Sequence, residues 1–475
     1  MSFTPAQLRA IVAAGNVLVM AGAGTGKTRT LVERCVRRLL APTDPVSLEA
    51  ILMVTFTEAA ASEMRQRIRA RLEAELDAQP ENARLAEQLA LLDSARICTL
   101  HSFCLELVRE HFHELALDPQ VTVLDPDQAR LLAAETLNEM FRAHYAADSP
   151  ESDAVRQLVE EHGGGRDQPI RELILRLHEF TQTRPDPEGW FARELERFAQ
   201  TDPLVWRQWL HAGFETWRQR WQPCLRAQAA ENANAHTCAA WLEGAGTTAG
   251  WDAKTCLQQI LATSRSRPRG QKGRSGPPLT KFYEEATFLD SLLAAPGAPD
   301  PLAEDWSWVR TTMATLLRLA REFAQSFAQA KRNAGRIDFH DLEQFALRLL
   351  WNATTGRPTP VASRWRERLQ LVFVDEYQDI NPAQDAILAA LSREGADANR
   401  FLVGDVKQSI YRFRQAAPHI FQGYAERWRQ QPEAQVIALC DNFRSAEPIL
   451  RFLNAFFAGH FRPEAGGVTY DEQAR

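Results

Sequence analysis

The sequence lacks any apolar run that approaches the roughly 20 residues needed for a membrane-spanning helix. Its first residues contain neither the basic segment nor the apolar segment of a secretory signal peptide. Seven cysteines are present but no Cys-x-x-Cys pair, which argues against a zinc site or a disulfide framework. From these absences we expect a cytoplasmic protein without a membrane partner.

A strong basic charge is also absent, because the net charge of the 475 residues is −6. Any surface that binds nucleic acid must therefore be a local patch. The hydrophobic content of 45% and the charged content of 24% are typical of a globular protein. A single hydrophobic core rarely exceeds about 250–300 residues, so we expect more than one domain.

Short apolar runs rich in β-branched residues predict five buried strands. They cover residues 17–20, 51–55, 96–99, 371–374 and 401–403. Helical patterns separate these runs, which is typical of an α/β domain with a parallel sheet. Ligands of such a domain gather at the carboxyl ends of the strands.

The middle of the chain, residues 121–332, contains no convincing buried strand. Long helical patterns run instead through residues 126–144 and 306–331. Nine of the twelve tryptophans lie in this segment. We expect them in contacts between helices, although base stacking by one or two of them stays open. The segment therefore predicts a helical domain inserted into the α/β domain.

Residues 21–28 read AGAGTGKT and directly follow the first apolar run. A strand, a glycine-rich turn and a helix that starts near Lys27 form a cradle for phosphates, because backbone N–H groups and the helix N-terminus point at the anion. Lys27 is expected to reach the β- and γ-phosphates, and the Thr28 hydroxyl to ligate Mg²⁺. Ala21 stands where the strict pattern has glycine. The residues expected to contact ATP here are Ala21, Gly22, Ala23, Gly24, Thr25, Gly26, Lys27, Thr28 and Arg29.

Two carboxylates follow the strand predicted at residues 371–374. Asp375 is placed to hold Mg²⁺ opposite Thr28, and Glu376 to orient and deprotonate the attacking water. A protein that only binds a nucleotide does not need the second carboxylate. The pair therefore indicates hydrolysis.

Residues 404–414 read GDVKQSIYRFR and follow the strand predicted at 401–403. Gln408 is placed to touch the γ-phosphate. Tyr411 and Phe413 alternate with cationic residues, a mixture that suits stacking on bases and contacts to the phosphates of a single strand. From this run alone, a plain core role for both aromatic residues stays open.

Three other segments carry weaker signals. Residues 265–274 are basic and rich in glycine and proline, which predicts a surface loop; a contact to a phosphate backbone and a merely solvated loop both stay open. Residues 244–250 resemble the glycine-rich loop in composition but lack its Gly-Lys-Thr end. Residues 335–338 hint at a nuclease carboxylate motif, but no metal-site pattern follows at a useful spacing. We discount the last two.

The acidic run DEYQD at 375–379 and the run at 404–414 closely resemble signatures of superfamily 1 DNA helicases of the UvrD/RecB type. The second signature, with RIDFHDL at 336–342, resembles the RecB/AddA-like branch of recombination helicases. The resemblance covers residues 1–115 and 335–450. The helical segment between them matches in position and character only.

The resemblance implies an α/β fold of the P-loop NTPase (RecA-like) type. It has a parallel sheet, a large helical insertion domain and the start of a second RecA-like domain. The implied division is a first motor domain at 1–120 and 333–430, the insertion at 121–332, and the start of a truncated second motor domain at 431–475. Because 31 residues follow Arg444, we expect the later motor motifs and a nuclease domain to be missing.

The resemblance also assigns roles to residues. Gln7 is expected to bond the adenine edge, since an amide can donate and accept at once. Phe443 is expected to pack on adenine, and Arg444 to reach the γ-phosphate as an arginine finger. For His101, an ordinary buried histidine stays an alternative to DNA contact. The expected catalytic residues are Lys27, Asp375, Glu376, Gln408 and Arg444, and the expected DNA contacts are Thr55, Phe56, Thr57, His101, Ser102, Tyr411 and Phe413.

The predicted function is an ATP- and Mg²⁺-dependent DNA helicase or translocase on single-stranded DNA. The resemblance implies 3′-to-5′ movement in recombination or double-strand break repair. The expected partners are single-stranded and duplex DNA, and a nuclease or second subunit of a recombination complex. Two alternatives stay open: a truncated ATP- and DNA-binding module or interaction subunit without motor activity, and a DNA-stimulated ATPase that does not unwind.

Overall fold

The computed structural model describes residues 2–244, 253–265, 277–295, 297–352, 355–461 and 470. The chain divides into two compact units. The first comprises Met1–Phe141, Leu175–Trp190 and Phe323–Arg475, and the second comprises Arg142–Ile174 and Phe191–Glu322. Leu175–Trp190 falls within the insertion predicted from the sequence, yet it belongs to the first unit.

Most of the described strands of the first unit belong to one central sheet. In the described part of the chain the strands are β1 Asn16–Ala21, β2 Ile51–Thr55, β3 Arg96–Thr99, β4 Thr122–Val123, β5 Arg336–Ile337, β6 Trp351–Asn352, β7 Arg357–Pro358, β8 Leu371–Val374, β9 Arg400–Gly404 and β10 Ala434–Leu439. Six of these form a parallel sheet in the order β10-β1-β9-β8-β2-β3. The five predicted strands all lie in this sheet, which confirms the α/β fold.

The strand β10 departs from the expected domain division. The sequence signatures predict that residues 431–475 begin a second motor domain, but β10 is the edge strand of the first sheet. It pairs with β1 in parallel register, from Asn16 opposite Ala434 to Ala21 opposite Leu439. Ala21 and Leu439 are buried in the same core. The apolar residues of β10 therefore complete the first sheet.

Helices make up most of the remaining described residues of both units. Within the described residues they are α1 Pro5–Val12, α2 Lys27–Leu39, α3 Glu58–Ala78, α4 Ala83–Leu91, α5 Leu100–Glu110, α6 Pro126–Ala146, α7 Pro150–Gly163, α8 Gln168–Gln182, α9 Pro187–Ala199, α10 Leu204–Gln228, α11 Ala233–Gly244, α12 Ala253–Arg265, α13 Pro277–Ser291, α14 Pro301–Asn333, α15 Phe339–Leu350, α16 Pro360–Arg368, α17 Pro382–Leu391, α18 Pro418–Arg429 and α19 Glu447–His460. None of these helices is both long and apolar enough to cross a membrane.

The central sheet is buried on both faces. Successive residues of a strand point to opposite faces. Accordingly, Val17 and Val19 of β1 lie in one hydrophobic core, whereas Leu18 between them lies in the other. This double burial explains why the strands read as continuous apolar runs and not as alternating ones. The carboxyl ends of these strands all meet at one edge, where the functional side chains lie.

The second unit is helical and has an aromatic core of its own. Trp217 stacks on Phe282 with ring centroids 5.1 Å apart, and Trp221 is buried beside them. These residues confirm the prediction of tryptophans between helices. Trp209 and Trp308 are 65% and 60% exposed and so lie outside a helix–helix core, although the Trp308 ring contacts His162 of α7 with centroids 5.6 Å apart. Parts of three features predicted from the sequence lie outside the described residues. They are Trp251, residues 245–250 of the segment that resembles the glycine-rich loop, and residues 266–274 of the basic segment.

A buried ionic cluster joins the end of α14 to the start of α15. The Lys331 ammonium lies 2.6 Å from Asp338 and 2.7 Å from Asp341, and all three side chains are largely buried. The Asp338 carboxylate also accepts the Asp341 amide hydrogen as the N-cap of α15. The Asp338 carboxylate, which belongs to the hinted nuclease motif, therefore helps to hold two helices together.

His178 of α8 is packed next to this cluster. Its ring meets the edges of Phe323 and Phe327, and it is 7% exposed. Among the described residues neither ring nitrogen finds a hydrogen-bond partner. Burial lowers the pKa of the His178 imidazole from 6.5 to about 3, and the charges of Lys331 and His340 act in the same direction.

Replacing His178 with leucine is expected to make the unfolding free energy less sensitive to acid. The unfolded histidine takes up a proton below about pH 6.5, whereas the folded one does so only near pH 3. Stability of the unmodified protein therefore falls as pH falls through this window, by up to about 1.4 kcal/mol per pH unit. Urea unfolding at several pH values measures the slope. Leucine in place of His113, whose side chain is 65% exposed, is the control, and parallel pH profiles for all three proteins would contradict the prediction.

Candidate active site

The glycine-rich turn lies between β1 and α2, and α2 begins at Lys27 as predicted. Gly24 has a φ of 79°, in the left-handed region that favours glycine. The Thr25 hydroxyl donates to the Gly22 carbonyl over 2.8 Å and closes the turn. No side chain of the described residues caps the first turn of α2. Its free amide groups fit the phosphates of a nucleotide such as ATP.

Lys27 and Glu376 meet above this turn. The Lys27 ammonium lies 3.0 Å from both carboxylate oxygens of Glu376. Glu376 follows β8 with a φ of 53°, an uncommon left-handed conformation for a residue other than glycine. Such conformations persist where the surrounding structure enforces them and are concentrated at functional sites. The predicted phosphate-binding lysine and the predicted general base therefore come together.

Asp375 sits beside this pair at the end of β8. The pKa of the Asp375 carboxyl is raised to about 6, first by burial and then by the charge of Glu376, while the charge of Lys27 opposes the rise. A cation beside Asp375 would offset the unfavourable burial of its negative charge. The carboxylate and the half-buried Thr28 side chain therefore fit a hard ion such as Mg²⁺. In the described part of the chain no group of three or more His, Cys, Asp or Glu side chains is arranged to hold a metal. Thr28 and Asp375 stay the predicted ligands.

A buried glutamine links Glu376 to the segment after β9. The Gln378 amide nitrogen donates to Glu376 over 2.8 Å, and its oxygen accepts the Asp405 amide hydrogen over 2.9 Å. Asp405 in turn accepts the side-chain amide of Gln408 over 2.8 Å. A side-chain carbon on Gly404 would lie 2.5 Å from the Gln378 oxygen, so this close approach requires glycine. Gln378 belongs to the signature at 375–379 and Asp405 to the signature at 404–414. Nothing in the sequence indicated that a hydrogen bond between these two residues joins the two segments.

The segment after β10 returns to the glycine-rich turn. The Phe443 amide donates to the Gly24 carbonyl over 2.9 Å, and the Asn442 side chain donates to the Ala23 carbonyl over 2.8 Å. The Asn442 oxygen also accepts the Arg444 amide hydrogen. Asn442 is thus a contact that the sequence did not reveal. Phe443 and Arg444 themselves are exposed beside the turn, and their roles stay predictions.

Gln7 and Arg29 lie on the other side of the turn. The Gln7 side chain is buried; its oxygen accepts the Thr4 amide hydrogen and its nitrogen donates to the Thr25 carbonyl over 3.0 Å. These bonds cap α1 and hold the turn. The Arg29 guanidinium lies over the Phe3 ring at 4.2 Å. An adenine contact by Gln7 stays a prediction.

A cavity of about 510 Å³ lies in the first unit next to the hydrolytic carboxylates. Asp375 and Glu376 line one part of it. The predicted DNA contacts that line it are Thr55, Phe56, Thr57, His101, Tyr411 and Phe413. The structure therefore gathers predicted site residues from four separate segments of the chain around one cavity.

Aromatic rings stand at this cavity. Phe56 stacks on Tyr411 with centroids 4.9 Å apart, and the Tyr411 and Phe413 rings lie 5.8 Å apart. The Arg414 guanidinium lies over both Tyr411 and Phe413. Phe413 is 72% exposed and Phe56 40% exposed. The alternative of a plain core role is therefore wrong for Phe413.

The polar residues predicted to contact DNA differ in accessibility. The Thr55 hydroxyl is buried and donates to the Thr57 carbonyl, while the Thr57 hydroxyl caps α3. The Ser102 hydroxyl donates to Glu58 over 2.6 Å and does not line the cavity. The His101 side chain is 38% exposed, so the alternative of a fully buried histidine is wrong.

These elements match a known family. The sequence model for the UvrD/REP helicase N-terminal domain matches residues 3–237 and 292–428, which is more than half of the chain. The chain belongs to the UvrD/REP helicase family. This membership confirms the resemblance seen in the signatures at 375–379 and 404–414.

Bacterial proteins that share one name are similar to nearly the whole chain. The A subunit of the ATP-dependent helicase/nuclease of Moorella thermoacetica is 38% identical, over 99% of this chain and 36% of that protein. Proteins of this name from Desulforudis audaxviator and Pelotomaculum thermopropionicum are 37% and 35% identical, over 97% and 99% of this chain. Each of these two matches covers 40% of the relative. The chain thus spans well under half the length of these relatives.

Proposed function

We propose that this chain carries the first motor domain of an ATP-dependent DNA helicase that moves 3′ to 5′ on single-stranded DNA. The observation that carries the proposal is the shared cavity, because the hydrolytic carboxylates and the exposed aromatic rings line the same space. The family membership supports the same activity. Recombination or double-strand break repair is the process in which we place it.

The chain's own residues have distinct parts in this proposal. Bound ATP with Mg²⁺ supplies the bond to be cleaved and the cation that neutralises its charge. Lys27 binds phosphate oxygens, and Glu376 accepts the proton of the attacking water. Gln378 keeps the Glu376 carboxylate oriented by its hydrogen bond. Asp405 and Gln408 extend this connection toward the aromatic residues that follow β9.

Work on DNA requires that the chain hold the strand differently in its nucleotide-bound and nucleotide-free states. The run from Asp405 to Phe413 is suited to this coupling, because it begins at the Gln378 link and ends at the aromatic rings. The name of the relatives designates one component of a helicase/nuclease, which supports a second polypeptide as a partner of this chain. We also propose duplex DNA as a substrate of the complete assembly.

Replacing Phe56 with alanine is expected to weaken single-stranded DNA binding about 5- to 150-fold, since stacking contributes about 1–3 kcal/mol per base. The DNA concentration that half-saturates the ATPase rate should rise accordingly, while the rate at saturating DNA changes little. The measurement is ATP hydrolysis titrated with an oligodeoxythymidine. Phe288→Ala, which removes a 64% exposed ring of the second unit, is the control.

The same titration separates the proposal from its alternatives. If single-stranded DNA does not raise the ATPase rate of the unmodified chain, motor function of this chain is excluded and a non-motor module is favoured. Stimulation without strand separation on a partial duplex identifies a translocase or DNA-stimulated ATPase.

A further inference from the structure

The backbone of Glu376 needs an anchor, because its φ of 53° is uncommon for a residue other than glycine. This conformation turns the chain at the end of β8, so that the Glu376 carboxylate meets Lys27 while the next residue, Tyr377, enters the core. A left-handed residue relaxes to an ordinary conformation unless the surrounding structure prevents it. The Gln378 side chain bonds the Glu376 carboxylate and not its backbone.

The backbone hydrogen bonds of Glu376 stay within its own segment. Its amide donates to the Asp375 carboxylate over 3.0 Å, and its carbonyl accepts the Asp379 amide hydrogen over 3.0 Å. Such bonds shape the turn but do not fix it relative to the rest of the first unit. A contact outside residues 375–379 is required for that, and Tyr377 makes one.

The Tyr377 side chain is fully buried and hydrogen-bonded. Its ring meets the Tyr424 ring of α18 edge-on, with centroids 5.9 Å apart. Its hydroxyl donates to the Asp385 carboxylate of α17 over 2.5 Å. Burial, followed by the charge of Asp385, raises the pKa of the Tyr377 hydroxyl well above its usual range, so this group keeps its proton and stays a donor. Because a buried hydroxyl without an acceptor is unfavourable, the bond to Asp385 fixes the side chain.

Asp385 is itself held from a second side. The Tyr424 hydroxyl donates to the same carboxylate oxygen over 3.1 Å and accepts a hydrogen bond from the Arg400 guanidinium over 2.8 Å. The guanidinium also lies over the Tyr424 ring, 4.9 Å from its centroid. Arg400 is buried, so its positive charge offsets the negative charge of Asp385 within the unit. All three residues lie outside the signatures at 375–379 and 404–414.

We propose that Asp385 is a positioning residue for ATP hydrolysis. By holding the Tyr377 hydroxyl, it fixes the backbone that presents the Glu376 carboxylate to the attacking water. The inference rests on the role of general base that the proposed function gives to Glu376. It adds a residue of α17 that does not line the cavity and that acts through one buried hydroxyl.

Replacing Tyr377 with phenylalanine tests this role, because the ring stays and only the hydroxyl is lost. The turnover number for ATP is expected to fall about 10-fold, since misplacing a catalytic group by about 1 Å costs up to about 10²-fold. The ATP concentration that half-saturates the rate is expected to change little, because Tyr377 lies in the core and not at the glycine-rich turn. Steady-state phosphate release at a series of ATP concentrations measures both constants.

Tyr424→Phe is the matched control. It also removes a buried hydroxyl that donates to Asp385, but it leaves the bond from Tyr377 in place. The two phenylalanine variants are expected to have similar urea midpoints of unfolding, while Tyr377→Phe alone loses turnover. Equal losses of turnover would show that both hydroxyls serve packing alone, and would overturn the inference.

Two substitutions of Asp385 examine the acceptor. Asp385→Ala is expected to lower turnover as much as Tyr377→Phe does, with no further loss in the double variant. Asp385→Asn keeps an oxygen that can accept the Tyr377 hydrogen bond, so it is expected to retain most of the turnover. Full turnover in Asp385→Ala overturns the inference.

The dependence on Glu376 separates positioning from general stability. In the Glu376→Gln background, Tyr377→Phe is expected to cause no further loss of hydrolysis, because no general base is left to position. A further loss of about 10-fold there would mean that Tyr377 acts through another residue, and the inference would be wrong.

Measurements with and without single-stranded DNA distinguish this inference from the proposed function. If the unmodified chain hydrolyses ATP but DNA does not raise the rate, the motor function fails, and the comparison of the variants still decides the role of Asp385. If the unmodified chain hydrolyses no ATP under either condition, both the inference and the proposed function fail.

Discussion

Replacing Glu376 with glutamine is expected to reduce DNA-stimulated ATP hydrolysis by about 10²- to 10⁴-fold, the usual contribution of a general base. The amide cannot accept the proton of the attacking water at neutral pH. ATP affinity should stay the same or rise, because Lys27 loses the carboxylate that lies 3.0 Å from its ammonium. Gln378 can still hydrogen-bond the side chain, so the loop geometry is retained.

Two measurements on the same protein separate hydrolysis from binding. Steady-state phosphate release gives the rate, and titration with a fluorescent ATP analogue gives the affinity. Glu73→Gln, on the exposed face of α3, is the control for a changed surface charge. A variant that hydrolyses ATP at more than a tenth of the original rate would remove Glu376 from the role of general base.

Replacing Lys331 with methionine is expected to destabilise the first unit by about 3–5 kcal/mol, because it leaves buried carboxylates without their counter-ion. Lys331 is 2.6 Å from Asp338 and 2.7 Å from Asp341. The effect is large because the two aspartate side chains are buried, so water cannot compensate for the lost positive charge of Lys331. The urea midpoint of unfolding measures the change.

The exposed pair of Arg130 and Asp127 gives a matched comparison, since its side chains are 79% and 84% exposed. Arg130→Met should change stability by at most about 1 kcal/mol. Equal midpoint shifts for the two methionine variants would show that burial does not set the strength of the α14–α15 cluster.

Local sequence patterns predict much of this fold because strands and the glycine-rich turn depend on neighbouring residues. Five strands could be predicted directly from their apolar runs, namely β1, β2, β3, β8 and β9, and α2 begins at the predicted Lys27. Pairing between distant segments is different. Nothing near β10 indicates that it lies beside β1, and nothing within Leu175–Trp190 indicates its return to the first unit.

The same limit applies to the site. Asp375 and Glu376 could be predicted because they directly follow an apolar strand. The bonds from Gln378 to Asp405 and from Glu343 to His101 join residues that are far apart in the chain. Their partners follow from the packing of helices and strands, which periodicity does not specify. Asn442 is similar: its bond to the Ala23 carbonyl depends on β10 ending beside β1.

The edge position of β10 determines where this protein can be divided for biochemical work. A fragment ended at residue 430 would leave β1 with an open row of backbone donors and acceptors beside the glycine-rich turn. Exposed apolar edge strands pair with other chains and promote aggregation. It would also lose Asn442 and Phe443, whose bonds anchor the turn from outside. A soluble, correctly formed phosphate cradle therefore depends on a strand that, from sequence signatures alone, belongs to the next domain.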